Sequence, residues 1–212
     1  MPVESPGPVV RRGRAADLSG AVEALVDAFV SDPFFEWSLD RGTDARSAAV
    51  HRTRLGTWMR HAVRAAHGIG HCFVIEGDED GECRAAALWA PPDLSFFGPE
   101  RWSAVWSLVE GSNGPRSGLV GEGFALIADQ HPEEPHYYLS TVGVRQRHRG
   151  AGLGSALLER VLAVCDREGV GAYLESSNPQ NVGLYRRHGF RVRAELTMPE
   201  GPVVTPMWRD PR

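Results

Sequence analysis

The chain has 212 residues, of which 42% are hydrophobic and 24% charged, with a net charge of -4 at pH 7. This length suits a single domain, or one domain with a sizeable insertion, with a buried apolar core, and the composition is typical of a soluble globular protein. The acidic balance, with a pI near 6.1, argues against a general nucleic-acid-binding protein, which carries a basic patch or stripe.

The first half of the chain predicts a short strand, two helices and a hairpin. Residues 9–12 form the strand, and Asp17 caps a helix whose apolar residues recur at helical spacing and stop before Pro33. A second helix is predicted over residues 46–66. Two apolar runs, 72–75 and 85–89, flank an acidic turn at 77–81, and this pattern predicts a β-hairpin.

The second half predicts alternating strands and helices. Residues 93–135 carry the weakest pattern, with helices near 102–109 and 119–128 and a loop at 111–114. A strand (137–144), a helix (153–167), a strand (172–175) and a helix (181–188, ending at Gly189) follow, and residues 190–196 and 203–208 close the chain as a hairpin. We therefore predict an α/β fold, with one mixed, mostly antiparallel sheet and helices on both faces.

The connection between the strands at 137–144 and 172–175 is a single helix. A crossover helix joins parallel strands, so these two should be parallel neighbours, and we expect them to separate at the Val144 end.

The cysteines, the N-terminal residues and the apolar stretches indicate the cellular compartment that we expect. Cys72, Cys83 and Cys165 are odd in number, show no metal-ligand spacing and lie in apolar runs, which predicts buried thiols, no metal and a cytoplasmic protein. Residues 1–8 are polar and proline-rich, without the apolar core of a secretion signal, and are expected to be flexible. No stretch is apolar enough to span a bilayer, so no membrane partner is expected.

A glycine-rich turn, Arg149-Gly-Ala-Gly-Leu-Gly154, joins a strand to a helix. Unpaired N–H groups and the helix dipole at such a junction suit a phosphate or pyrophosphate. A P-loop is excluded because no lysine is near. The alternating glycines fit a dinucleotide-binding turn poorly, although Glu175 lies at a suitable distance for a ribose contact. The glycine spacing alone is also compatible with a flexible loop that binds no ligand.

Two segments together resemble the GNAT N-acetyltransferases. Arg149-x-x-Gly152-x-Gly154, after Val142-Gly-Val144, is similar to their acetyl-CoA signature, and Asn178-Pro-Gln-Asn-Val-Gly-Leu-Tyr185-Arg-Arg-His-Gly-Phe190 is similar to their second conserved region. Over residues 134–210 the chain further resembles the puromycin N-acetyltransferase branch. The resemblance implies a single GNAT domain over residues 1–212, with a splayed parallel strand pair and acetyl-CoA as cosubstrate.

The resemblance also implies roles for individual residues. The N–H groups of the turn would hold the pyrophosphate, with Arg149 adding charge, and these groups belong to Gly150, Gly152, Leu153, Gly154 and Ser155. Val142 and Val144 would pair with the pantetheine arm through their main chains, and Asn178 and Asn181 would contact the cofactor or cap a helix. Tyr185 would protonate the departing thiolate, because a phenol keeps its proton at neutral pH. The alternative for Tyr185 is a core aromatic residue without a catalytic role, and the alternative for Arg149 is an exposed arginine without a ligand.

The attacking amine requires a base. Glu175 ends a strand beside the expected thioester position and is the first candidate for base or amine anchor; a plain surface carboxylate is as plausible, and His136 and Glu134 are alternatives. Aromatic residues are abundant in the first half of the chain. They are expected to lie in the core or to line a pocket for the acceptor amine: Phe34, Phe35, Trp37, Trp89, Phe96, Phe97, Trp102 and Trp106.

The expected function is transfer of acetyl from acetyl-CoA to a primary amine of a small molecule, such as an aminonucleoside or other antibiotic-like amine, by direct attack in a ternary complex. A peptide or protein amine is the competing acceptor. A non-catalytic acyl-CoA-binding sensor is the alternative from another class. The expected assembly is a monomer or homodimer.

Overall fold

A mixed β-sheet organises the molecule. The computed structural model describes residues 7–77, 82–92, 94 and 99–212, and these residues form an eight-stranded sheet ordered β1-β2-β3-β4-β5-β8-β6, with β7 paired to β8. The strands are β1 (Arg11–Arg12), β2 (Cys72–Glu76), β3 (Cys83–Ala90), β4 (His136–Val144), β5 (Gly171–Ser176), β6 (Arg191–Val192), β7 (Leu196–Thr197) and β8 (Val203–Arg209). Strands β4 and β5 are parallel and the other pairs antiparallel, which confirms the predicted fold class.

Helices cover both faces of the sheet. The first face carries α1 (Leu18–Phe29), α2 (Pro33–Ser38), α3 (Ala45–Gly68), α4 (Pro99–Asn113) and α5 (Ser117–Ala128), and the second carries α6 (Leu153–Glu168) and α7 (Val182–Arg187). Side chains alternate between the two faces of a strand, so the core consists of two apolar clusters, one on each face of the sheet. Ala86 and Leu88 of β3 pack in the first cluster, and Ala85 and Ala87 in the second. None of the described helices is long and apolar enough to cross a membrane.

Strands β4 and β5 separate as predicted. Their pairing runs from His136 opposite Gly171 to Leu139 opposite Leu174, and β4 then continues to Val144 without β5 beside it. This leaves a gap in the middle of the sheet, and Glu175 is the first residue of β5 beyond the last pair.

A short helix that the sequence analysis did not predict begins where the first helix ends. The predicted stop before Pro33 is correct, but the chain starts α2 at once. Asp32 accepts hydrogen bonds from the N–H groups of Phe34 (3.0 Å) and Phe35 (3.4 Å), and Pro33 occupies the first helical position, where its missing N–H is harmless. Asp-Pro is thus both a stop and a start signal.

Asp17 was predicted to cap α1, and this prediction was wrong. Its carboxylate makes no capping hydrogen bond to α1. It accepts instead from the guanidinium of Arg11 (2.6 Å) and from the N–H of Arg14 (2.5 Å), so it closes the turn before the helix and pairs with β1.

Several predicted boundaries shift. The predicted loop at 111–114 is helical through Asn113, whose amide donates to the carbonyls of Ser38 (2.7 Å) and Val109 (2.9 Å). The predicted strand at 190–196 consists of the two short strands β6 and β7, because Pro206 of β8 accepts from Arg193 (2.9 Å) but has no N–H to return. The first strand covers Arg11–Arg12 and not residues 9–10. Residues 1–6 of the expected flexible N-terminus and 78–81 of the acidic turn lie outside the described residues.

Candidate active site

A cavity of about 670 Å³ lies at the gap between β4 and β5. Its lining comes from both apolar clusters: Phe34, Trp58 and Phe124 belong to the first, and Leu174 and Tyr185 to the second. The cavity therefore connects the two faces of the sheet through the gap, and its volume falls in the range of small-molecule sites, roughly 300–1,000 Å³.

The wall on the first face is aromatic. Phe124 of α5 is its centre, packing edge-on against Phe34 (5.6 Å between ring centroids) and Trp102 (5.4 Å), and stacking on Trp58 (6.1 Å). Phe35 packs edge-on against Trp58 at 5.5 Å. Rings from α2, α3, α4 and α5 thus meet around one space, and the described lining residues include no lysine or arginine. Such a wall suits an apolar or planar molecule without an acidic group.

Glu175 presents a buried carboxylate to this cavity. Its side chain is 9% exposed, and within the described part of the chain its Oε1 has no hydrogen-bond partner. The negative charge acts on Tyr138 and Tyr173, whose rings stack at 6.1 Å; burial first, and Glu175 second, raise the pKa of both phenols well above the usual value. The His131 imidazole lies 3.6 Å from Oε1, too far for a hydrogen bond. A buried carboxylate oxygen without a hydrogen bond is destabilising unless it serves a ligand.

Tyr185 reaches the cavity from the second face. It lies on α7, is 7% exposed, and its ring packs edge-on against Phe190 at 6.0 Å. Burial raises the pKa of Tyr185 above the ordinary value of a phenol, and the nearby charge of Asp32 raises it further. The hydroxyl therefore keeps its proton throughout the neutral and mildly alkaline range and can donate a proton or a hydrogen bond.

Asp32 and Ser177 tie the two sides of the site together. The Ser177 hydroxyl donates to Asp32 Oδ2 at 2.7 Å, which links the loop after β5 to the N-terminus of α2. Asp32 is buried, and desolvation raises the pKa of its carboxyl. The contact fixes the α2 aromatics relative to the loop that leads to Tyr185.

The glycine-rich turn lies at the N-terminus of α6. Gly150 (φ +81°) and Gly152 (φ +74°) adopt left-handed backbone conformations, and a Cβ at either would meet no atom within 4 Å. A Cβ at Gly154 would lie 3.8 Å from Val144 and from Leu184, so the turn sits beside the end of β4 and beside α7. Open space, unpaired N–H groups and the positive end of a 16-residue helix together fit a pyrophosphate.

The exposed edge of β4 has the hydrogen-bonding pattern of an incomplete sheet. The N–H of Arg145 donates to the carbonyl of Arg84 in β3 (2.9 Å). The N–H and C=O groups of alternate residues in an antiparallel pair point toward the partner strand. Val142 and Val144 have the other parity, so their N–H and C=O groups point into the gap, away from β3. An extended ligand arm can pair with them as a strand would.

Comparison with known proteins identifies this arrangement. The model of the acetyltransferase (GNAT) family matches residues 115–190. An uncharacterised N-acetyltransferase of Schizosaccharomyces pombe is 28% identical over 194 residues, covering 85% of this chain and 73% of that protein. A solved Corynebacterium glutamicum structure, described as histone acetyltransferase HPA2 and related acetyltransferase, is 25% identical with a TM-score of 0.72, covering 98% of both chains. The fold also matches arylalkylamine N-acetyltransferase 2 of Aedes aegypti, with a TM-score of 0.60, 12% identity, and coverage of 96% of this chain and 99% of that one.

The chain is an acyl-CoA-dependent N-acetyltransferase, and its residues 115–190 match the acetyltransferase (GNAT) family. The family matches, and the relatives' names, make it an acyl-CoA-dependent enzyme, so the alternative of a non-catalytic sensor is not retained. The match to the family model spans the gap in the sheet, the glycine-rich turn and Tyr185.

The structure brings several predicted site residues of the acetyltransferase together. Val142, Glu175, Asn181 and Tyr185 all line the cavity, as do the alternative bases Glu134 and His136. The pKa of His136 is lowered, chiefly by burial, and its Nδ1 lies 2.7 Å from the Glu134 carbonyl oxygen.

Other predicted residues have partners within the protein. The Asn178 side chain accepts from the N–H of Gln180 (3.0 Å) and caps the turn before α7. Ser155 Oγ lies 3.0 Å from His188 Nε2, and Arg149 donates to the carbonyl of Ala28 at 3.0 Å. The three cysteines are buried free thiols, as predicted.

Only some of the aromatic residues predicted for the pocket or the core line the cavity. Phe34, Phe35 and Trp102 line the cavity, whereas Trp37, Trp89 and Trp106 do not; Trp37 donates to the Pro199 carbonyl (3.0 Å) and Trp89 is fully buried. Phe96 and Phe97 lie outside the described residues. Sequence reasoning missed four lining or supporting groups that packing reveals: Asp32, Trp58, Phe124 and His131. Of these, Asp32 alone had a sequence signal, since it precedes Pro33.

Proposed function

We propose that this acetyltransferase transfers the acetyl group of acetyl-CoA to a primary amine on a small molecule with an apolar or aromatic body, such as an aminonucleoside. The observation that carries the proposal is the cavity through the sheet. An aromatic wall and the Glu175 carboxylate, whose buried Oε1 makes no hydrogen bond among the described residues, lie on one side, and Tyr185 lies on the other. The puromycin-like segments over residues 134–210 support the same substrate class.

In this proposal the cosubstrate binds along the second face. The N–H groups of Gly150 and Gly152 through Ser155 hold its pyrophosphate at the start of α6, with Arg149 adding charge beside it. The main chains of Val142 and Val144 hold its pantetheine arm, with Asn178 and Asn181 at the opposite edge. This placement directs the thioester into the gap, where Glu175 and Tyr185 reach it from opposite sides.

The chemistry follows from two side chains. Glu175 draws the ammonium into the site and accepts a proton from it, so that the amine can attack the thioester carbonyl directly. Tyr185 donates to the leaving sulfur, and no covalent enzyme intermediate is needed, because the described cysteines lie outside the cavity lining. Placing both reactants in one gap supplies much of the acceleration. Three buried thiols agree with a reducing compartment, and we assign the reaction to the cytoplasm.

A peptide acceptor is the second candidate, and the wall argues against it. Peptide recognition uses an extended groove with main-chain partners, whereas this cavity is bounded by rings from four helices.

The test is release of CoA thiol in the presence of a panel of amines. The panel pairs molecules that differ in one property: tyramine with tyrosine for the acidic group, phenethylamine with putrescine for the aromatic body, and an aminonucleoside with a short peptide. We expect the aromatic amines without a carboxylate to have kcat/KM at least about tenfold above their partners, equivalent to ~1.4 kcal/mol. Equal or better turnover of the peptide would reject the small-molecule assignment while leaving the acetyltransferase activity in place.

A further inference from the structure

His131 touches the carboxylate that the proposed reaction uses as its base. Its Nδ1 lies 3.6 Å from Glu175 Oε1, the oxygen that otherwise lacks a hydrogen-bond partner among the described residues. His131 follows α5, and its N–H donates to the carbonyl of Ala128 at 3.1 Å. The histidine therefore comes from the acceptor-binding helices and Glu175 from the sheet.

The two residues differ in their access to solvent. The Glu175 side chain is 9% exposed, whereas that of His131 is 42% exposed. Oε1 itself is fully buried, so a proton taken up there has no direct path to bulk water. The imidazole spans that distance, because it can accept a proton on one ring nitrogen and release one from the other.

Ring packing holds the imidazole in place. Tyr138 and Tyr173 each contact it edge-on with centroids at 5.1 Å, and the His136 ring lies 4.9 Å away. The titratable and charged groups surrounding His131 and its carboxylate partner come from three further segments as well as its own: Glu133, Glu134, His136, Tyr138, Tyr173, Glu175 and Arg193.

Acetylation releases one proton per turnover. An ammonium substrate begins with three N–H protons, of which the amide product keeps one and the CoA thiol takes one. The third must leave the site, and Glu175 must return to its ionised form before the next cycle. Resting on the proposed role of Glu175, we propose that His131 accepts this proton from Glu175 and passes it to solvent. It acts through Glu175 and is a proton carrier, separate from the residues that touch the reacting atoms.

The test compares His131→Asn and His131→Ala with the wild type, using an amine that the wild type acetylates. His67→Asn, on the last turn of α3 and outside the cavity lining, is the matched control. We expect kcat to fall about tenfold or more in both His131 variants, with the KM for acetyl-CoA unchanged. The acid limb of the wild-type pH profile should be lost or displaced in His131→Asn and retained in His67→Asn.

Rescue separates proton transfer from structural support. The space left in His131→Ala opens to solvent, so added imidazole should restore kcat in proportion to its concentration, whereas a buffer that cannot transfer protons at neutral pH should not. Wild-type kcat and pH profile in His131→Asn would overturn the inference, as would a loss that imidazole leaves unchanged in a variant with normal thermal unfolding. Absence of amine acetylation by the wild type, or full activity of Glu175→Gln, would instead refute the proposed function.

Discussion

Tyr185→Phe is the substitution that tests the leaving-group chemistry most directly. The change keeps the ring, which packs on Phe190, and removes the hydroxyl of a residue that lines the cavity. We therefore expect the free energy of unfolding to change by less than about 1 kcal/mol, and CoA affinity to be unchanged. The chemical step alone should respond.

The size of the effect follows from the pKa difference between donor and acceptor. An unperturbed phenol has a pKa of about 10 and a thiol one of about 8.5, so complete proton transfer from tyrosine to thiolate is unfavourable by ~2 kcal/mol. Burial and Asp32 raise the pKa of Tyr185 further, which widens the gap. The hydroxyl then acts mainly by hydrogen-bonding to the developing charge on sulfur. We expect a loss of about 10²-fold, or ~2.7 kcal/mol, at the lower end of the range for a general acid.

The measurement is single-turnover acetylation with enzyme in excess, which separates the chemical step from product release. Calorimetry gives the Kd of CoA, and thermal unfolding checks the fold. Tyr137→Phe is the matched control, because that hydroxyl donates to Glu168 at 2.8 Å outside the cavity; it should lower stability by about 1 kcal/mol and leave the rate unchanged. A Tyr185→Phe enzyme with the wild-type single-turnover rate would refute the reasoning, as would an equal loss of rate in Tyr137→Phe.

Three further predictions concern the cosubstrate, the base and the core. Asparagine and aspartate both occur in the left-handed backbone conformation that Gly152 adopts. Gly152→Asp should therefore weaken CoA binding in calorimetry at least about tenfold more than Gly152→Asn, by charge repulsion, and equal losses would exclude an anion site there. Glu175→Gln should lower amine kcat/KM by roughly 10²-fold without lowering the unfolding midpoint, since the buried Oε1 makes no hydrogen bond among the described residues. Burial lowers the pKa of His51, so the unfolded chain takes up the proton first as pH falls below ~6.5, and the folded state loses stability from there downward. The melting temperature of His51→Leu should therefore rise relative to that of the wild type as pH falls from 7 to 5. A difference in melting temperature that stays constant over this range would contradict the prediction.

Local signals sufficed wherever one short segment builds a feature. The glycine-rich turn, the strand before it and the helix after it are contiguous, so residues 142–155 could be assigned together from the sequence. The parallel pairing of β4 and β5 follows from the single helix between them. Asp17 shows the limit of local rules, because a partner across the turn, Arg11, competes for the same carboxylate.

The sequence by itself determined the parallel pairing of β4 and β5, the position of the glycine-rich turn and the placement of Tyr185 after it, since these depend on chain connectivity and on backbone conformations that glycine permits. Only the tertiary structure decided which aromatic residues form the cavity wall, that Glu175 is buried rather than exposed, and that His131 meets it. Hydrophobic periodicity shows which face of a helix is apolar, but the rotation and packing of α3 and α5 against the sheet decide whether Trp58 and Phe124 face a core or a cavity. A carboxylate's burial depends likewise on what covers it, and here the covering residues come from a helix end more than forty positions earlier in the chain.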